Sequence, residues 1–501
     1  MDLASVILFL VMYYIRPQEW SSVFSSIHFV QIVMGMAIMT LFFREKSLKF
    51  GDLLKTPHDW MMLFFFMWMI GSSPSPIETF KSNYAFALFY IVIVQTLTTI
   101  PRMKTFVGWW TFLIVAIAAL AIASEYGFDP RNSYDITHGH MKNRLILNLS
   151  IFNNPNGLGH SVVPCIPMLY FFAIWKRPLF MKEVGFALLV IPIWCIYLTV
   201  SKGAFLVGGL VLVATMTFGR PRIVQIIIVA VAIAGGGTLI YKLPRMNELA
   251  KSKTDGAIQG RVAAFKHGMA LVQTSIRGCG RDHWMESFYR AHHYTKACHS
   301  SYVQVGGELG VPGLGLYLGI LYCCVRTLLT AKTRDADEER IRRTLFVLVF
   351  SYMASSWMVD FGFRPTFFMF AAAVAALHRH LYGLVDLTEA AEDAKPAIPA
   401  WRARLLPPPA LAGVPAVAAG PGGEAVLAIE SAQAPVPTVA PAQPRGPVLR
   451  AGRLIKQEEE EEDPKLPRVT YWKRLGAVDL IIIWIATAAA IKFWQEMIKH
   501  M

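Results

Sequence analysis

The sequence predicts an all-α, polytopic membrane protein with about twelve transmembrane helices. Hydrophobic residues make up 54% of the 501 positions, and charged residues make up only 16%. Apolar runs of about 15–20 residues recur through most of the chain, close to the length that a helix needs to cross a bilayer. Because lipid offers the backbone no hydrogen-bonding partners, such runs indicate helices and not open strands.

Twelve apolar segments are predicted as membrane helices. They comprise residues 2–15, 28–43, 58–72, 83–100, 105–124, 157–175, 184–200, 203–218, 222–241, 300–329, 343–360 and 365–383. The first run lacks a basic leading segment and a small-residue cleavage site, so it is interpreted as a membrane helix and not as a signal peptide.

The Lys and Arg residues of the short loops predict the topology. With the N-terminus in the cytoplasm, the loops on that side hold 17 Lys and Arg residues and the loops on the opposite side hold 7. Positive charge accumulates in cytoplasmic loops, so this orientation is favoured. It places residues 242–299, the long loop between the ninth and tenth helices, on the outer face of the membrane.

The C-terminal part differs in composition from the twelve-helix core of residues 1–385. Residues 386–478 are rich in Ala and Pro and contain an acidic run, which predicts a disordered linker because little apolar surface is available for burial. Residues 479–496 are apolar and predict one extra hydrophobic helix, which either spans the membrane or lies at its interface. The core is expected to be complete and active without residues 390–501.

The long outer loop carries more positive charge than its position predicts. From Lys242 to Cys298 it holds ten Lys and Arg residues against four Asp and Glu residues, and an anionic ligand would explain the excess. Residues 258–273 have apolar residues at helical spacing, which predicts an amphipathic helix at the membrane surface with Arg261 near its start. The alternative role for this helix is a basic face that binds lipid headgroups.

Two short motifs in the same outer region also suit an anion. Arg277 and Arg281 flank a Gly-Cys-Gly turn whose backbone N–H groups could face an anion. Lys202 lies in a Ser-Lys-Gly turn that divides the apolar stretch of residues 184–218 into two helices. It either extends its amine to the membrane interface or places a cation beside a helix N-terminus, where the helix dipole also favours an anion.

His299 directly precedes the tenth predicted helix. Its ordinary pKa of about 6.5 suits a general base at neutral pH, although a structural role is the common alternative for a single histidine. The loop contains four other histidines, but no acidic or thiolate residue stands at ligand spacing, so no metal site is predicted. Cys279 and Cys298 would be able to pair in an oxidising compartment.

Further polar residues on the outer side are candidate contacts to a hydroxyl-rich ligand. Capping, turn formation and local ion pairs are their alternative roles. These candidates are Arg16, Asn154, Asn156, His160 and Glu308. Asp360 and Arg364 share another outer turn and are expected to pair.

Four motifs together resemble the O-antigen ligase and O-antigen polymerase superfamily of bacterial membrane glycosyltransferases. The motifs are NPNGLGHS (residues 154–161), SKGA (residues 201–204), the Gly-Arg helix followed by RGCG (residues 260–261 and 277–280), and HSSYVQVGGELGVPGLGLYL (residues 299–318). The resemblance covers residues 1–385. The start YYIRPQEW (residues 13–20) is similar to the O-glycosylation ligase branch associated with exosortase systems.

The resemblance implies a metal-independent enzyme of the GT-C type in the bacterial inner membrane, without a cofactor and with a periplasmic active site. Such an enzyme transfers a glycan from undecaprenyl diphosphate to an acceptor hydroxyl with inversion at the anomeric carbon. The matching positions imply that Lys202 and Arg261 hold the diphosphate, with Arg277 and Arg281 in support, and that His299 activates the acceptor.

The acceptor is left open by the sequence. A glycan ligase is the main hypothesis, and a polymerase of lipid-linked repeats or a protein O-oligosaccharyltransferase are alternatives in the same superfamily. A membrane transporter is the alternative of a different class. The predicted helices lack the midspan acidic relay and the internal repeat that are typical of transporters.

Overall fold

The protein is described by a computed structural model in which the regular secondary structure is helical. The structure describes residues 2–20, 29–42, 53–149, 151–242, 256–384, 472 and 474–500. No strand occurs among these residues, and the prediction of an all-α chain is therefore confirmed.

The helices follow the order that the sequence predicts. In the first half of the chain they are α1 (Asp2–Ile15), α2 (Phe29–Phe42), α3 (Pro57–Gly71), α4 (Pro76–Thr96), α5 (Ile100–Ser124), α6 (Ser133–His138), α7 (Pro155–Val162), α8 (Cys165–Leu169, continued by a π-helical turn at Tyr170–Ile174), α9 (Leu179–Leu198) and α10 (Lys202–Thr217). In the second half they are α11 (Arg222–Lys242), α12 (Gly256–Thr274), α13 (Trp284–His292), α14 (Ser301–Thr330), α15 (Ala336–Ser355), α16 (Pro365–Leu381) and α17 (Ala477–His500). Each predicted apolar segment coincides with one of these helical regions, with ends that differ by several residues.

Among the residues that the structure describes, six helical segments are long and apolar enough to cross a membrane. They are Pro76–Thr96, Ile100–Ser124, Pro155–Ile174, Leu179–Leu198, Ser301–Thr330 and Ala477–His500. Three shorter apolar helices are Gln31–Thr40, Lys202–Thr217 and Arg222–Gly235. The structure thus supports a multi-pass membrane protein, and the number of twelve spans stays a prediction.

Local sequence explains where several helices begin. Thr56 caps α3 together with Asp59, since the two residues exchange side-chain and backbone hydrogen bonds, and Pro57 occupies the first helical position. Asp335 caps α15 by accepting from two backbone N–H groups. The hydroxyl oxygens of Ser201 and Ser300 cap α10 and α14, each by accepting from one backbone N–H group. These two caps hold the helix starts on which the candidate site depends.

Helix α14 is broken near its first third. Gly310 has φ +66° inside the helix and Pro312 follows it, so the backbone donors that would serve the preceding turn are lost. Other groups replace them, because Cys279 N donates to Gly307 O at 2.9 Å, Gly280 N donates to Glu308 O at 2.8 Å, and the indole Nε1 of a tryptophan in α3, Trp68, donates to Leu309 O at 2.8 Å. The loop between α12 and α13 thereby closes the break.

The predicted loop helix is present, but its apolar face packs on protein. α12 contains the segment predicted to be helical, and its Ala264, Phe265, Met269 and Val272 are buried with Val303 of α14 and Trp494 of α17. Two helices from distant parts of the chain cover this apolar face, and the expectation that the helix lies on or near the membrane surface stays a prediction. Residues 243–255 of the loop lie outside the described residues.

The C-terminal helix packs along the core. Near its start, Asp479 forms an ion pair with Arg326 and accepts from the Tyr322 hydroxyl at 2.7 Å. Near its end, the Trp494 indole donates to Phe265 O at 3.1 Å. α17 covers surfaces of α12 and α14 and is therefore packed with the core. The expectation that the core is active without residues 390–501 stays a prediction. The predicted linker of residues 386–478 falls almost wholly on residues outside the described set.

Candidate functional site

The start of α10, where Lys202 lies, is held by a polar network. The Ser201 hydroxyl donates to Asn156 Oδ1 at 2.8 Å and accepts from Ala204 N. Asn156 Oδ1 also accepts from Arg144 Nη2 at 2.8 Å. Lys202 is the first residue of α10 and is partly exposed. Lys202 is therefore part of a helix start, whose partial positive charge favours an anion, and Arg144 binds the same Asn156 oxygen as the capping Ser201.

His160 lies under this turn and joins α7 to α15. Its Nδ1 is 3.0 Å from the Ser355 hydroxyl, and only 2% of the residue is exposed. A Cβ on Gly203 would stand 3.0 Å from His160 Nε2, so the glycine of the Ser-Lys-Gly turn lets α10 approach this ring closely. The charge of Arg261 also acts on the His160 imidazole. The histidine therefore connects the Lys202 turn with the end of α15.

The start of α14 is tied to the turn between α15 and α16. Ser301 N donates to Ser356 O at 2.7 Å, and the Ser301 hydroxyl donates to Val359 O and accepts from Phe361 N, both at 2.8 Å. The Ser300 hydroxyl donates to Ser356 O at 3.1 Å. These bonds hold the residue before them, His299, next to Asp360 in the turn.

His299 has three charged neighbours in this setting. Burial lowers the pKa of the His299 imidazole below its ordinary value, and the cations Arg261 and Lys296 lower the pKa further, whereas the Asp360 carboxylate raises it. The imidazole is therefore neutral at pH 7 and has a lone pair for a proton. Its backbone φ of +53° is unusual for a residue with a side chain, which indicates that the surrounding contacts impose this position.

Lys296 lies against the segment that carries Arg261. A Cβ on Gly260 would stand only 2.6 Å from Lys296 Cε and 2.7 Å from its Nζ, so the lysine side chain crosses the helix directly before Arg261. Trp284 Nε1 holds the Lys296 backbone by donating to its carbonyl at 3.0 Å. Two cations from different parts of the long loop thus meet beside His299.

The structure brings some of the predicted site residues together and separates others. Lys202, Arg261, His299, Asn156 and His160 belong to one connected region at the starts of α7, α10, α12 and α14. Arg277 is exposed in the loop after α12. Asn154 caps α7 by accepting from two backbone N–H groups, and Arg16 forms an ion pair with Glu19, so both fill the local roles that were their alternatives.

Arg281 and Glu308 form a buried ion pair. Arg281 Nη1 donates to Glu308 Oε2 at 3.0 Å, and the arginine also contacts Asp282, Asn83 and the ring of Phe363. Glu308 is 1% exposed and also accepts from Asp282 N. The pair closes the break in α14 from the side, and it leaves Arg277 the more accessible of the two supporting arginines.

Three smaller expectations are corrected by the geometry. The N–H groups of Cys279 and Gly280 donate to α14 and so do not face an anion. Asp360 lies beside His299, and no ion pair with Arg364 forms among the described residues; Arg364 lies over the Phe361 ring. Cys279 and Cys298 are both free thiols, and burial raises the pKa of the Cys279 thiol to about 12, so it stays protonated at neutral pH.

The other histidines of the loop have packing roles. His267 Nε2 is 3.0 Å from the Ser287 hydroxyl, and its ring contacts the rings of Trp284, Phe288 and His292. His283 Nδ1 is 2.8 Å from the Arg281 carbonyl. Among the residues that the structure describes, no three His, Cys, Asp or Glu side chains are grouped so as to hold a metal ion.

Three charged residues of the site were missed by the reasoning from sequence. Arg144 and Lys296 lie in loops whose number of Lys and Arg residues does not show which of these residues reaches the site. Asp360 was expected to pair with Arg364. An excess of positive charge in the long loop was the one signal for Lys296. Their roles depend on contacts across more than 30 residues of sequence, as in the approach of Lys296 to Gly260 and the bond between Arg144 Nε and Thr199 O, which no local pattern shows.

A comparison with known families agrees with this placement. Residues 187–318, about a quarter of the chain, match the family described as O-Antigen ligase. The matched range includes Lys202, Arg261 and His299 and runs from α9 into α14. No curated protein matches the chain. The match confirms the predicted resemblance to the O-antigen ligase superfamily, and the assignment to the exosortase-associated branch stays a prediction.

Proposed function

We propose that this chain, which carries an O-antigen ligase match over residues 187–318, transfers a glycan from undecaprenyl diphosphate to an acceptor hydroxyl at the periplasmic face of the inner membrane. The match supports glycosyl transfer of the ligase or polymerase type. The donor, the inverting course of the reaction and the side of the membrane are parts of the proposal. The observation that carries it is the meeting of a neutral His299 with Arg261 and Lys296 beside the Lys202 turn.

The cations suit a diphosphate leaving group. When the bond between the anomeric carbon and the diphosphate oxygen breaks, negative charge develops on the leaving group and needs fixed positive charge nearby. Lys202 at the start of α10 and Arg261 near the start of α12 supply this charge, and the N–H groups at the α10 start add to it. Lys296 and Arg144 strengthen the field, and Arg277 is the accessible supporting arginine.

The neutral His299 suits the acceptor. The acceptor oxygen attacks the anomeric carbon from the side opposite to the leaving group, its proton passes to the free imidazole nitrogen, and undecaprenyl diphosphate leaves with inversion at that carbon. Asp360 then faces the imidazolium that forms and stabilises its charge. The buried His160 acts as a positioning residue, because it links the Lys202 turn to Ser355 at the end of α15.

A release assay with purified protein tests this proposal. Wild-type protein given an undecaprenyl diphosphate-linked glycan and an acceptor is expected to release undecaprenyl diphosphate. The His299→Ala variant should lose at least about 100-fold in rate, whereas His140→Ala, a change at an exposed histidine, should keep the wild-type rate. Full turnover by His299→Ala would show that the base has been assigned wrongly, and no release by wild-type protein with any acceptor would contradict the function.

The same assay separates the acceptors. Lipid A core, lipid-linked repeats and a Ser/Thr-containing protein are offered in turn. Transfer to the core glycan identifies a ligase, lengthening of lipid-linked repeats identifies a polymerase, and labelling of the protein identifies an O-oligosaccharyltransferase. Movement of the intact donor across a vesicle membrane without release of the diphosphate would indicate a transporter.

A further inference from the structure

The indole of Trp494 is inserted between α12 and α14. Only 1% of this residue is exposed, although most large apolar residues of α17 face outward. Two glycines make the space for it: a Cβ on Gly268 would stand 2.9 Å from the indole ring, and a Cβ on Gly306 would stand 3.2 Å from it. A side chain at Gly268 would force the indole or Val303 to move, and one at Gly306 would make an unusually close contact with the indole, so the surfaces of α12, α14 and α17 fit one another closely.

Trp494 also binds the backbone of the helix that carries Arg261. Its Nε1 donates to Phe265 O at 3.1 Å. Phe265 lies four residues after Arg261, one turn further along α12, and residues at this spacing share a helix face. The bond and the packing therefore fix both the height and the rotation of the α12 turn next to Arg261.

The opposite end of α17 is anchored separately. Asp479 accepts from the Tyr322 hydroxyl and Gly476 N, at 2.7 and 2.9 Å, and forms an ion pair with Arg326. Between the two ends, Ile483 and Thr487 continue the buried stripe. A helix that is held at both ends and along one face cannot slide easily. The contacts of Asp479 therefore help to fix the position of Trp494 at the opposite end of α17.

We propose that Trp494 is a positioning residue for Arg261, and that the C-terminal helix thereby belongs to the diphosphate-binding apparatus. This inference rests on the proposed function insofar as Arg261 is taken to bind the donor diphosphate. The chain supplies the helix after the segment of residues 386–471, so the arginine depends on an element from the other end of the sequence. Loss of the indole leaves a cavity beside Gly268 and frees the Arg261 turn.

Hydrogen exchange tests the structural half of the inference. The full-length protein, the Trp494→Ala and Trp494→Phe variants, and the matched control Trp484→Ala are compared, because Trp484 lies in the same helix and is 56% exposed. Trp494→Ala should speed amide exchange in residues 259–269 roughly tenfold or more, Trp494→Phe should do so less, and Trp484→Ala should not. Unchanged amide exchange in Trp494→Ala would overturn the inference, regardless of which substrate the enzyme uses.

A double-mutant cycle tests the functional half. Binding of undecaprenyl diphosphate is measured as Kd for wild type, Trp494→Ala, Arg261→Ala and the double variant, at a temperature where all are folded. Trp494→Ala is expected to weaken binding roughly 10-fold, and the double variant should bind no more weakly than Arg261→Ala, because the tryptophan acts through the arginine. The same tryptophan change made with Lys202→Ala should keep its full effect.

The outcomes separate this inference from the proposed function. Additive losses in the Arg261 cycle would show that Trp494 supports the fold in general and would overturn the positioning role. If wild-type protein does not bind undecaprenyl diphosphate, the proposed function fails, and the exchange experiment still decides whether Trp494 holds α12. Recovery of most of the affinity in Trp494→Phe would show that packing contributes more than the indole hydrogen bond.

Discussion

The chemistry of His299 is set by neighbours that lie far from it in the sequence. Asp360 comes from the turn before α16, and Arg261 comes from the start of α12. The two have opposite effects on the His299 pKa, and burial adds to the effect of the cations. The sequence indicated the histidine as a candidate through its position before a membrane helix, but it could not show the burial that lowers the His299 pKa or the charges that act on it.

The first prediction concerns the pH dependence. Only the neutral imidazole accepts a proton, and its pKa is lowered, so kcat/KM should rise with pH along a limb whose midpoint lies below about 6.5. Asp360→Asn removes the charge that raises the pKa and should move this limb to lower pH, whereas Lys296→Met should move it to higher pH. The check is the pH profile of undecaprenyl diphosphate release for the three proteins. Identical profiles would contradict the assignment of His299 as the base.

The second prediction concerns the buried ion pair of Arg281 and Glu308. Arg281→Ala leaves the Glu308 carboxylate buried without its cation, and the expected loss is about 3–5 kcal/mol of unfolding free energy. The matched control is Arg290→Ala, which breaks an exposed pair with Glu286 in α13 and should change stability by less than about 1 kcal/mol. Thermal or denaturant unfolding in detergent measures both. Equal stability of the two variants would show that the pair adds nothing to the fold.

At the scale of an element, α14 shows why a motif can be recognised and still be misinterpreted. The RGCG and GELGVPG motifs lie about 30 residues apart, and the turn glycines suggest an anion site when read separately. In the structure each motif completes the other, because the broken helix exposes carbonyls and the loop supplies the N–H groups. Buried backbone groups need partners, and this requirement explains the glycines without a ligand.

The third prediction follows from this packing. A Cβ on Gly310 would stand 1.9 Å from Ile276 O, and the residue has φ +66°, so Gly310→Ala should separate the loop from α14 and destabilise the protein by at least about 1–3 kcal/mol. Gly315→Ala in the same helix is the control, since its Cβ would meet only Thr487 Oγ1 at 3.6 Å. The measurement is the melting temperature of each variant in detergent, compared with that of the wild-type protein. A tolerated alanine at position 310 would mean that the loop is not locked to the break.

At the scale of the whole molecule, the C-terminal helix closes the core on one side. The ends of the segment that leads to it lie at the same end of the bundle: the Trp472 and His378 rings are 6.1 Å apart, and Leu384 N donates to Arg379 O. A short connection between Leu384 and Trp472 would therefore be long enough to join α16 to α17. The helix that follows is required, because it carries Asp479 and Trp494.

The fourth prediction compares two deletions. Replacing residues 391–465 by a flexible linker of about 20 residues should leave glycan transfer within roughly twofold of wild type, since shortening a loop with adjacent ends changes closure entropy little. Ending the chain at residue 471 removes α17, exposes the apolar faces of α12 and α14, and should lower transfer at least roughly 10-fold. Undecaprenyl diphosphate release per folded, membrane-inserted protein is the measurement. Equal activity of the two shortened proteins would show that α17 is dispensable.

The sequence by itself determined where the helices lie and that the chain is all-α, because apolar runs of membrane length leave the backbone no other way to satisfy its hydrogen bonds. It also indicated Lys202, Arg261 and His299 as candidate site residues, since each stands at or near a helix start within a recognisable motif, and their roles stay predictions. The tertiary structure decided which side chains meet. Asp360 and Lys296 lie near His299, Arg281 pairs with Glu308, and Trp494 packs on α12. Apart from Lys296, which lies three positions before His299, these contacts join residues that are 27 to more than 200 positions apart. Helix packing, which no local pattern encodes, brings them together.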